Sequence, residues 1–326
     1  MHLLIKALTS LLLCATAPVW ASNVMLIESY HYGYDWDKSY IAGLERTLGS
    51  DYTLSRFEMD TKRLPPSEFE KQADKAFAAY QATKPEIVVL GDDNALKYML
   101  PRLYDEPISI VFLGINSNPR HLLAKYEGQA KVTGVLELPL FVRNMREISM
   151  LLGKKNIKVK VMFDSGVTSE IAAEYILRQY EQIRRSLGIE INIVNAVTFQ
   201  GWQREIAAAK PSGFDAVIVG LYQTLVDSEG NNVDANQVLS WTNQHVEVPT
   251  FGFWDFSVGK GKTAGGVVLF GESQGQHAAE LVKQINAGAD ASTIPIQIGR
   301  QGRAIYSASE MERWSLTPSS RWQNID

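Results

Sequence analysis

Cysteine and histidine are scarce in this sequence, and their scarcity restricts the chemistry that the protein can support. The 326 residues include one cysteine, Cys14, and five histidines. A single cysteine excludes a disulfide framework and every metal site built from several cysteines. No two histidines have the i, i+4 spacing of a zinc-binding helix. We therefore predict that the protein binds no metal ion, and the sequence indicates no other cofactor.

An excess of charge of one sign is also missing. The chain has 32 lysine and arginine residues against 36 aspartate and glutamate residues, so its net charge is -4. Nucleic-acid-binding proteins usually carry a basic patch or stripe, and we predict no nucleic-acid partner. The glycine and proline contents are ordinary, which excludes collagen-like and low-complexity classes. Hydrophobic residues make up 45% of the chain, enough for two domains of about 150 residues each.

No apolar run reaches the roughly 20 residues that a membrane-spanning helix requires. The longest run covers residues 7–19, follows Lys6 and precedes Val19-Trp20-Ala21, which resembles a signal-peptidase site. We predict a signal peptide over residues 1–21 and a protein exported to the periplasm. The alternatives are an uncleaved N-terminal anchor and a lipoprotein attached through Cys14. Cleavage after Ala21 would remove the only cysteine, which suits an oxidising compartment.

Ten short apolar runs rich in valine, isoleucine and phenylalanine recur along the rest of the chain. Continuous apolar runs of this kind are typical of strands buried on both faces of a parallel sheet. The ten predicted strands cover residues 24–27, 52–57, 87–90, 108–113, 132–136, 157–163, 191–194, 216–219, 249–253 and 267–270. Two series of five strands predict an α/β fold, with two doubly wound parallel-sheet lobes joined by a hinge near residues 137–139.

Helical patterns separate these runs. Ile41, Leu44 and Leu48 have the i, i+3, i+7 spacing of one helix face, and Asp37 is a candidate N-cap for that helix. Similar patterns predict helices over residues 140–152, 168–187 and 274–285. Strand and helix therefore alternate, as they do in βαβ units.

The loops that follow the strands are the candidate binding site. In open α/β sheets ligands bind beyond the carboxyl ends of the strands, and two facing sheets form a cleft that a hinge can close. The loop at residues 28–36 is rich in aromatic rings, which stack on planar groups or cations, and in acids, which hold amines. The alternatives are rings that pack between the lobes and polar residues that cap helices. The candidate ligand contacts are Tyr30, His31, Tyr34, Trp36, Asp92, Asn94, Asn116, Asp164, Ser165, Tyr222, Trp254 and Asp255.

Two short motifs resemble catalytic sequences but lack the partners that catalysis requires. Residues 271–275 read Gly-Glu-Ser-Gln-Gly, which fits the nucleophile elbow of a serine hydrolase. A hydrolase needs an acid and then a histidine further along, and only His277 follows, four residues after Ser273. Residues 261–263 read Gly-Lys-Thr, like the end of a phosphate-binding loop, but Phe256 stands where that loop requires glycine. We predict no catalytic residues and no enzyme activity.

The order of strands and loops resembles the type I periplasmic binding proteins. Within them, the chain looks most similar to the ABC-transporter substrate-binding family that includes tryptophan and tyrosine binders. Pro107 to Ile115, followed by Asn118-Pro119, resembles that family's fourth strand and loop, and Thr133-Gly134-Val135 resembles its crossover strand. The other similar stretches are residues 214–219, 248–251, 265–268 and 275–288.

The resemblance implies two lobes joined by three crossovers, with one lobe at residues 22–138 plus about 265–290 and the other at 139–264 plus about 291–326. It implies reversible binding of a small molecule that is delivered to an ABC permease. The loop residues favour an aromatic or amine-bearing ligand, and we expect a monomer. Asp92-Asp93 and residues 116–118 replace small hydroxyl residues of the family, so amino-acid specificity does not carry over. The loop from Tyr30 to Trp36 also resembles extracytoplasmic sensing domains. A membrane sensor kinase or cyclase is therefore the alternative partner.

Overall fold

The computed structural model describes residues 22–299 and 302–326, which form two α/β lobes, each built on one sheet. The predicted signal peptide and Cys14 lie outside the described residues. Within them, no helix is both long enough and apolar enough to cross a membrane.

Strands and helices alternate along most of the chain. The first part contains β1 (Ser22–Glu28), α1 (Asp35–Leu48), β2 (Tyr52–Glu58), α2 (Phe69–Thr83), β3 (Ile87–Gly91), α3 (Asp92–Leu103), β4 (Ser109–Ile115), α4 (Arg120–Lys125) and β5 (Lys131–Leu136). The middle part contains α5 (Phe141–Leu152), β6 (Lys158–Asp164), α6 (Val167–Leu187), β7 (Glu190–Ala196), α7 (Phe199–Ala207), β8 (Ala216–Val219), α8 (Ala235–His245), β9 (Thr250–Gly252) and β10 (Gly265–Val268). The last part contains α9 (Gly271–Asn286), β11 (Gln297–Ile298), β12 (Arg303–Tyr306), α10 (Ala308–Arg313) and β13 (Gln323–Asn324).

Each lobe has a largely parallel sheet, as the apolar runs predict. The first sheet has the order β11-β5-β4-β3-β1-β2, and all its neighbouring strands are parallel. The second has the order β13-β12-β10-β9-β8-β6-β7, with β12 antiparallel to β10. The ten predicted strands correspond to β1–β10, so the predicted fold class is confirmed. Central strands such as β3 and β8 are buried along their whole length, which is why their sequences are continuously apolar.

The sheets divide the chain differently from the expected boundaries at two places. β10 pairs with β9 and β12, so residues 265–268 belong to the second lobe and not to the first. β11 pairs with β5, so residues 297–298 belong to the first lobe. Between them, α9 packs on α1, β4 and β5 of the first lobe. The chain therefore passes between the lobes three times: after β5, after β10 and between β11 and β12.

The packing of α9 against α1 explains the hydrolase-like motif at residues 271–275. A Cβ atom at Gly275 would overlap the Tyr40 carbonyl oxygen, and a Cβ atom at Gly43 would overlap that of Glu272. The glycines therefore allow two helix backbones to approach closely. The expected N-cap role of Asp37 is wrong, because α1 begins at Asp35 and the Asp37 side chain is fully buried.

Candidate functional site

The loops at the carboxyl ends of both sheets meet around a small buried space, the central cavity. Its volume is about 10 Å³, which is room for roughly one water molecule. Residues from both lobes line it: Tyr30, Tyr34, Trp36, Lys62, Asp92, Asn116, Glu137, Thr168, Leu221 and Trp254. The two lobes are therefore closed on each other.

Two hydrogen bonds join the lobes at this cavity, Tyr30 with Thr168 and Trp254 with Glu137. Tyr30 Oη donates to Asp92 Oδ1 at 2.7 Å and lies 2.9 Å from Thr168 Oγ1 of the second lobe. Because the single Tyr30 proton points to Asp92, Thr168 is the donor in the second bond. The indole Nε1 of Trp254 donates to Glu137 Oε1 at 2.6 Å. These polar contacts are buried. Separating the partners costs free energy unless water replaces the lost hydrogen bonds.

The aromatic residues extend these contacts between the lobes. The Tyr34 ring packs edge-on against Phe256 of the second lobe, with centroids 5.6 Å apart. Phe256 in turn stacks on Trp254 at 6.3 Å, and Tyr34 contacts Tyr30 at 5.3 Å. Rings from both lobes thus form one continuous aromatic wall. Such a wall can pack on a flat ligand group or on a cation.

Two buried carboxylates face each other at the central cavity. A Cβ atom at Gly114 would lie 3.5 Å from Asp92 Oδ2 and 3.7 Å from Glu137 Oε2, so both oxygens border the space that this glycine leaves free. Burial, and then the charge of Asp93, raises the pKa of Asp92 to about 7. Burial, and then the charge of Asp92, raises the pKa of Glu137 well above its usual range. Closure in the absence of a cation therefore favours a protonated form of this pair.

The backbone at Asp92 is itself unusual. Its φ angle is 75°, in the left-handed region that residues other than glycine rarely adopt. Strained backbone of this kind persists only where surrounding contacts hold it, and it clusters at functional sites. The bonds from Tyr30 Oη and from the Asp93 amide to Asp92 Oδ1 supply such contacts. Oδ2 accepts no hydrogen bond from the part of the chain that the structure describes.

A buried lysine lies against the aromatic wall. Lys62 is 6% exposed, and its Nζ lies 4.5 Å from the ring centroid of Tyr30 and 5.5 Å from that of Tyr34. These distances allow a cation–π interaction with each ring. Trp36, on the same cavity, has a buried indole Nε1 that meets no acceptor in the described part of the chain. The cavity wall therefore contains the Lys62 ammonium and the Trp36 indole N–H, and each can still donate a hydrogen bond to a ligand.

Two larger spaces that share Lys62 with the central cavity adjoin it between the lobes. The basic compartment, about 370 Å³, shares Tyr30, Lys62 and Thr168 with it. The side compartment, about 190 Å³, shares Tyr34 and Lys62. The other polar or charged residues that line the basic compartment are Thr61, Arg63, Asn94, Ser165, Thr224 and Asn232. Lys62 thus borders all three spaces.

The structure brings most of the predicted site residues to this cleft. Those that line the central cavity are Tyr30, Tyr34, Trp36, Asp92, Asn116 and Trp254. Asn94 and Ser165 line the basic compartment, and His31 and Tyr222 line the side compartment.

Asp164 and Asp255 line none of the three spaces. The oxygens of Asp164 accept bonds from the amides of Gly166 and Thr224 and from the Ser169 hydroxyl. Asp255 Oδ1 accepts a bond from the Phe256 amide, and burial raises the pKa of Asp255 to about 7. Asp164 therefore holds its own loop, α6 and the loop after β8, and Asp255 holds its own loop, so their expected contact with a ligand has no geometric support.

Three residues of the cleft are absent from the predicted set: Lys62, Glu137 and Thr168. Glu137 directly follows β5, at a carboxyl end of the sheet, but the sequence suggested only a lobe boundary there. Lys62 lies in the loop after β2, and no aromatic or acidic cluster marks that loop in the sequence. In the described part of the chain, no group of three or more histidine, cysteine or acidic residues is placed to hold a metal ion.

Comparison with solved structures identifies the architecture. A protein from Streptococcus pneumoniae, described as an ABC domain in complex with L-Trp, matches with a TM-score of 0.67 at 15% identity, over 93% of this chain and 99% of that chain. A conserved domain protein from Vibrio cholerae matches with a TM-score of 0.68 at 14% identity, over 94% and 100%. The arabinose-binding protein AraP from Geobacillus stearothermophilus matches with a TM-score of 0.60 at 12% identity, over 90% and 99%.

The chain has the type I periplasmic binding protein fold. Near-complete coverage of both chains in each pair means that the match extends over both lobes. Transcription regulators also occur among the matching structures with this fold. No protein-family description and no curated protein matches the sequence. The type I periplasmic binding protein fold therefore establishes the architecture, and the function has to be argued from the cleft.

Proposed function

We propose that this protein captures a small organic solute between its lobes and closes over it without catalysing a reaction. The observation that carries the proposal is the pair of interlobe hydrogen bonds at the central cavity, Tyr30 with Thr168 and Glu137 with Trp254. Each bond has one partner in each lobe, so hinge closure assembles the cavity wall. A ligand that contacts both halves of that wall binds the closed form better and shifts the equilibrium toward it.

The ligand that suits this wall carries a cationic amine beside a flat or apolar group. A cation near Asp92 and Glu137 would allow both carboxylates to ionise, which lowers the cost of burying them. The faces of the neighbouring rings would hold the same cation and the apolar group. Because the central cavity has room for only about one water molecule, entry of such a ligand requires the lobes to open or Tyr30 to move.

The proposed partner is an ABC permease, and the proposed location is the periplasm. Solved structures of the same fold that bind L-Trp or arabinose support solute capture. The signal-like pattern of residues 1–21 supports export. Mass spectrometry of the protein recovered from the periplasm tests the location, since cleavage after Ala21 leaves Ser22 as the first residue. Uptake of the labelled ligand by cells that lack the protein tests the permease, because loss of uptake is expected only for a transport role.

Thermal unfolding against amino acids, nucleosides, polyamines and small organic acids tests solute capture. A ligand at about 100 times its dissociation constant stabilises the folded form by roughly 2.7 kcal/mol. For lobes of this size that corresponds to an increase in Tm of about 5–10 °C. A shift confined to one chemical class would establish a binding protein, and a flat response to every class would contradict the proposal.

A matched pair of tryptophan variants locates the bound solute. Trp254→Ala should weaken binding, because it removes an aromatic wall and the partner of Glu137. Trp314→Ala is the control, since Trp314 follows α10 in the second lobe and lines none of the three spaces. Equal affinity of both variants for the ligand would place the solute outside the central cavity.

A further inference from the structure

The basic compartment differs in charge from the central cavity beside it. Its lining includes Lys62 and Arg63 but no aspartate or glutamate. Arg63 already pairs with Asp60, through bonds of 2.7 Å and 2.8 Å. Lys62 forms no ion pair with any residue in 22–299 or 302–326. Its Nζ lies over the faces of Tyr30 and Tyr34, and its charge partly opposes the rise in the pKa of Asp92. Lys62 is therefore the cation that remains available in this space.

The burial of Lys62 makes an anionic partner favourable. With 6% of its surface exposed, the Lys62 side chain is largely removed from solvent, and the ring faces of Tyr30 and Tyr34 lie beside its ammonium group. A buried charge that lacks a counter-ion is costly, and the cost falls when an ion of opposite sign binds beside it. Because Lys62 borders the compartment, an anion in that space can reach it.

The first turn of α6 lies in the opposite wall of the same compartment. Gly166, Val167 and Thr168 line the space, and no side chain caps this 21-residue helix. Asp164 Oδ1 accepts a hydrogen bond from the Gly166 amide. The next three amides, of residues 167–169, have no acceptor among the described residues. Free amides at the start of a long helix attract anions. Asp164 does not line the compartment, and its oxygens accept three bonds, from the amides of Gly166 and Thr224 and from the Ser169 hydroxyl.

We propose that the basic compartment binds an anionic group of the solute, a carboxylate or a phosphate, between Lys62 and the first turn of α6. The inference rests on the proposed function, because it assigns a second group to the solute held between the lobes. Tyr30 borders both spaces, so the amine and the anion would occupy neighbouring spaces that share this residue. The ligand class is therefore a dipolar solute whose amine and anionic group are separated by a spacer.

Three probes of similar length test the anionic group. They are 5-aminopentanoate, 4-aminobutylphosphonate and pentylamine, measured by isothermal titration calorimetry on the purified protein. Hydrogen bonds to charged groups add about 1.5–3 kcal/mol, so at least one anionic probe should bind about tenfold to a hundredfold more tightly than pentylamine. The difference between the first two probes distinguishes a carboxylate from a phosphate-like group.

A pair of lysine variants tests the role of Lys62. Lys62→Met should abolish the preference for the anionic probes over pentylamine, because it removes the charge and keeps most of the side-chain volume. Lys97→Met is the matched control, since Lys97 also lies over a tyrosine ring, that of Tyr98 at 5.2 Å, but is exposed on α3 and borders none of the three spaces. Its preference should match that of the unmodified protein.

A second pair of variants tests the helix end without removing a buried residue. Val167 is 38% exposed at the first position of α6, where an acid suits the helix. Val167→Glu places a tethered carboxylate at the proposed site and should reduce the preference for anionic probes at least tenfold. Val167→Gln has nearly the same shape without the charge and should retain most of it. Equal preference in these two variants would overturn the assignment to the α6 end.

The outcomes separate this inference from the proposed function. Pentylamine that binds as tightly as both anionic probes, or a panel ligand that carries no anionic group, would overturn the anionic subsite and leave solute capture intact. Absence of binding by every probe and every panel class would overturn both. A preference that survives Lys62→Met would also reject the assigned site.

Discussion

The central cavity and the basic compartment share Tyr30, Lys62 and Thr168, yet they differ in charge and in size. The central cavity is nearly filled and has two carboxylates, Asp92 and Glu137, in its wall. The basic compartment is larger, at about 370 Å³, has no acid in its lining and includes the start of α6. The difference follows from the strand ends that supply each wall. The ends of β3 and β5 supply the acids, whereas the loop after β2 supplies the lysine.

This contrast gives the closed cleft an internal dipole. A neutral apolar ligand gains nothing from it, whereas a ligand with charges of both signs is held in one orientation. Tyr30 is the residue that links the two sides, because its hydroxyl bonds to Asp92 and its ring lies under Lys62. Substitutions on each side of Tyr30 should therefore have different consequences.

The largest effect on stability is expected at Trp254, in the wall of the central cavity beside Glu137. Trp254 is 2% exposed, so Trp254→Ala opens a cavity and leaves Glu137 without its indole donor. Substitution of a buried aromatic residue by alanine typically lowers the free energy of unfolding by about 3–5 kcal/mol. Urea unfolding measures this loss.

The companion variant Trp254→Phe separates packing from hydrogen bonding. It keeps a ring beside Phe256 and removes only the donor to Glu137, so the expected loss is about 1–3 kcal/mol. A loss as large as that of Trp254→Ala would show that the hydrogen bond to Glu137, and not the packing of the ring, accounts for the stability that Trp254 provides.

The next largest effect is a dependence of the free energy of unfolding on pH, caused by the raised pKa of Asp92. Its pKa is about 7 in the folded protein and about 3.9 in an unfolded chain, so the folded form holds the proton more tightly. The resulting stabilisation is fully present below about pH 4 and is lost as the pH rises to about 7. The free energy of unfolding should therefore fall across this window. Burial of Glu137 raises its pKa too and acts in the same direction.

Asp92→Asn isolates this contribution. Asparagine tolerates the left-handed backbone at this position and can still accept the bond from Tyr30. At pH 7.5 the variant should be more stable than the unmodified protein by about 1–3 kcal/mol, and the difference should vanish near pH 4. Urea unfolding between pH 4 and 8 measures both curves, and parallel curves would show that folding does not raise the pKa of Asp92.

A smaller effect on the free energy of unfolding is expected at Tyr30, which borders both the central cavity and the basic compartment. Tyr30→Phe keeps the ring under Lys62 and removes the bonds to Asp92 and Thr168, at a cost of about 1–2 kcal/mol. Because one of those bonds joins the lobes, the free protein should also open more often. Small-angle X-ray scattering should show a larger radius of gyration for the ligand-free variant. An unchanged radius would mean that the bond between Glu137 and Trp254 alone keeps the lobes closed.

The sequence revealed the ten main strands because burial on both faces of a parallel sheet requires continuous apolar runs. It did not reveal β11, β12 and β13. β11 and β13 have two exposed residues each and β12 has only four residues, so none of them has a clear apolar run. The prediction placed the tenth strand at 267–270, whereas β10 begins at Gly265. Gly265 and Gly266 resemble a turn in sequence, but a Cβ atom at Gly266 would overlap the Gly252 carbonyl, so close strand packing explains them.

For the site, sequence reasoning found the loops more reliably than the roles of their residues. Aromatic clusters after buried strands led to Tyr30, Trp36 and Trp254, because such rings seldom occur together in a loop without burial. An isolated lysine such as Lys62 looks like a solvated residue, and only the fold shows that it is covered. Asp164 looked like a ligand contact, but a sequence cannot distinguish a free carboxylate from one that satisfies its own loop.

The smallest effect is expected at His31, in the side compartment. Burial, and then the charge of Arg63, lowers the pKa of His31, so the ring is neutral at pH 7.5 and adds no charge to either side of the cleft. His31→Gln should therefore change the free energy of unfolding by less than about 0.5 kcal/mol. Ligand affinity, measured by calorimetry at pH 7.5, should stay within about twofold, since 0.4 kcal/mol corresponds to roughly that factor. A tenfold loss would mean that the solute extends past Tyr34 into the side compartment. The dipole between Asp92 and Lys62 would then describe only part of the bound ligand.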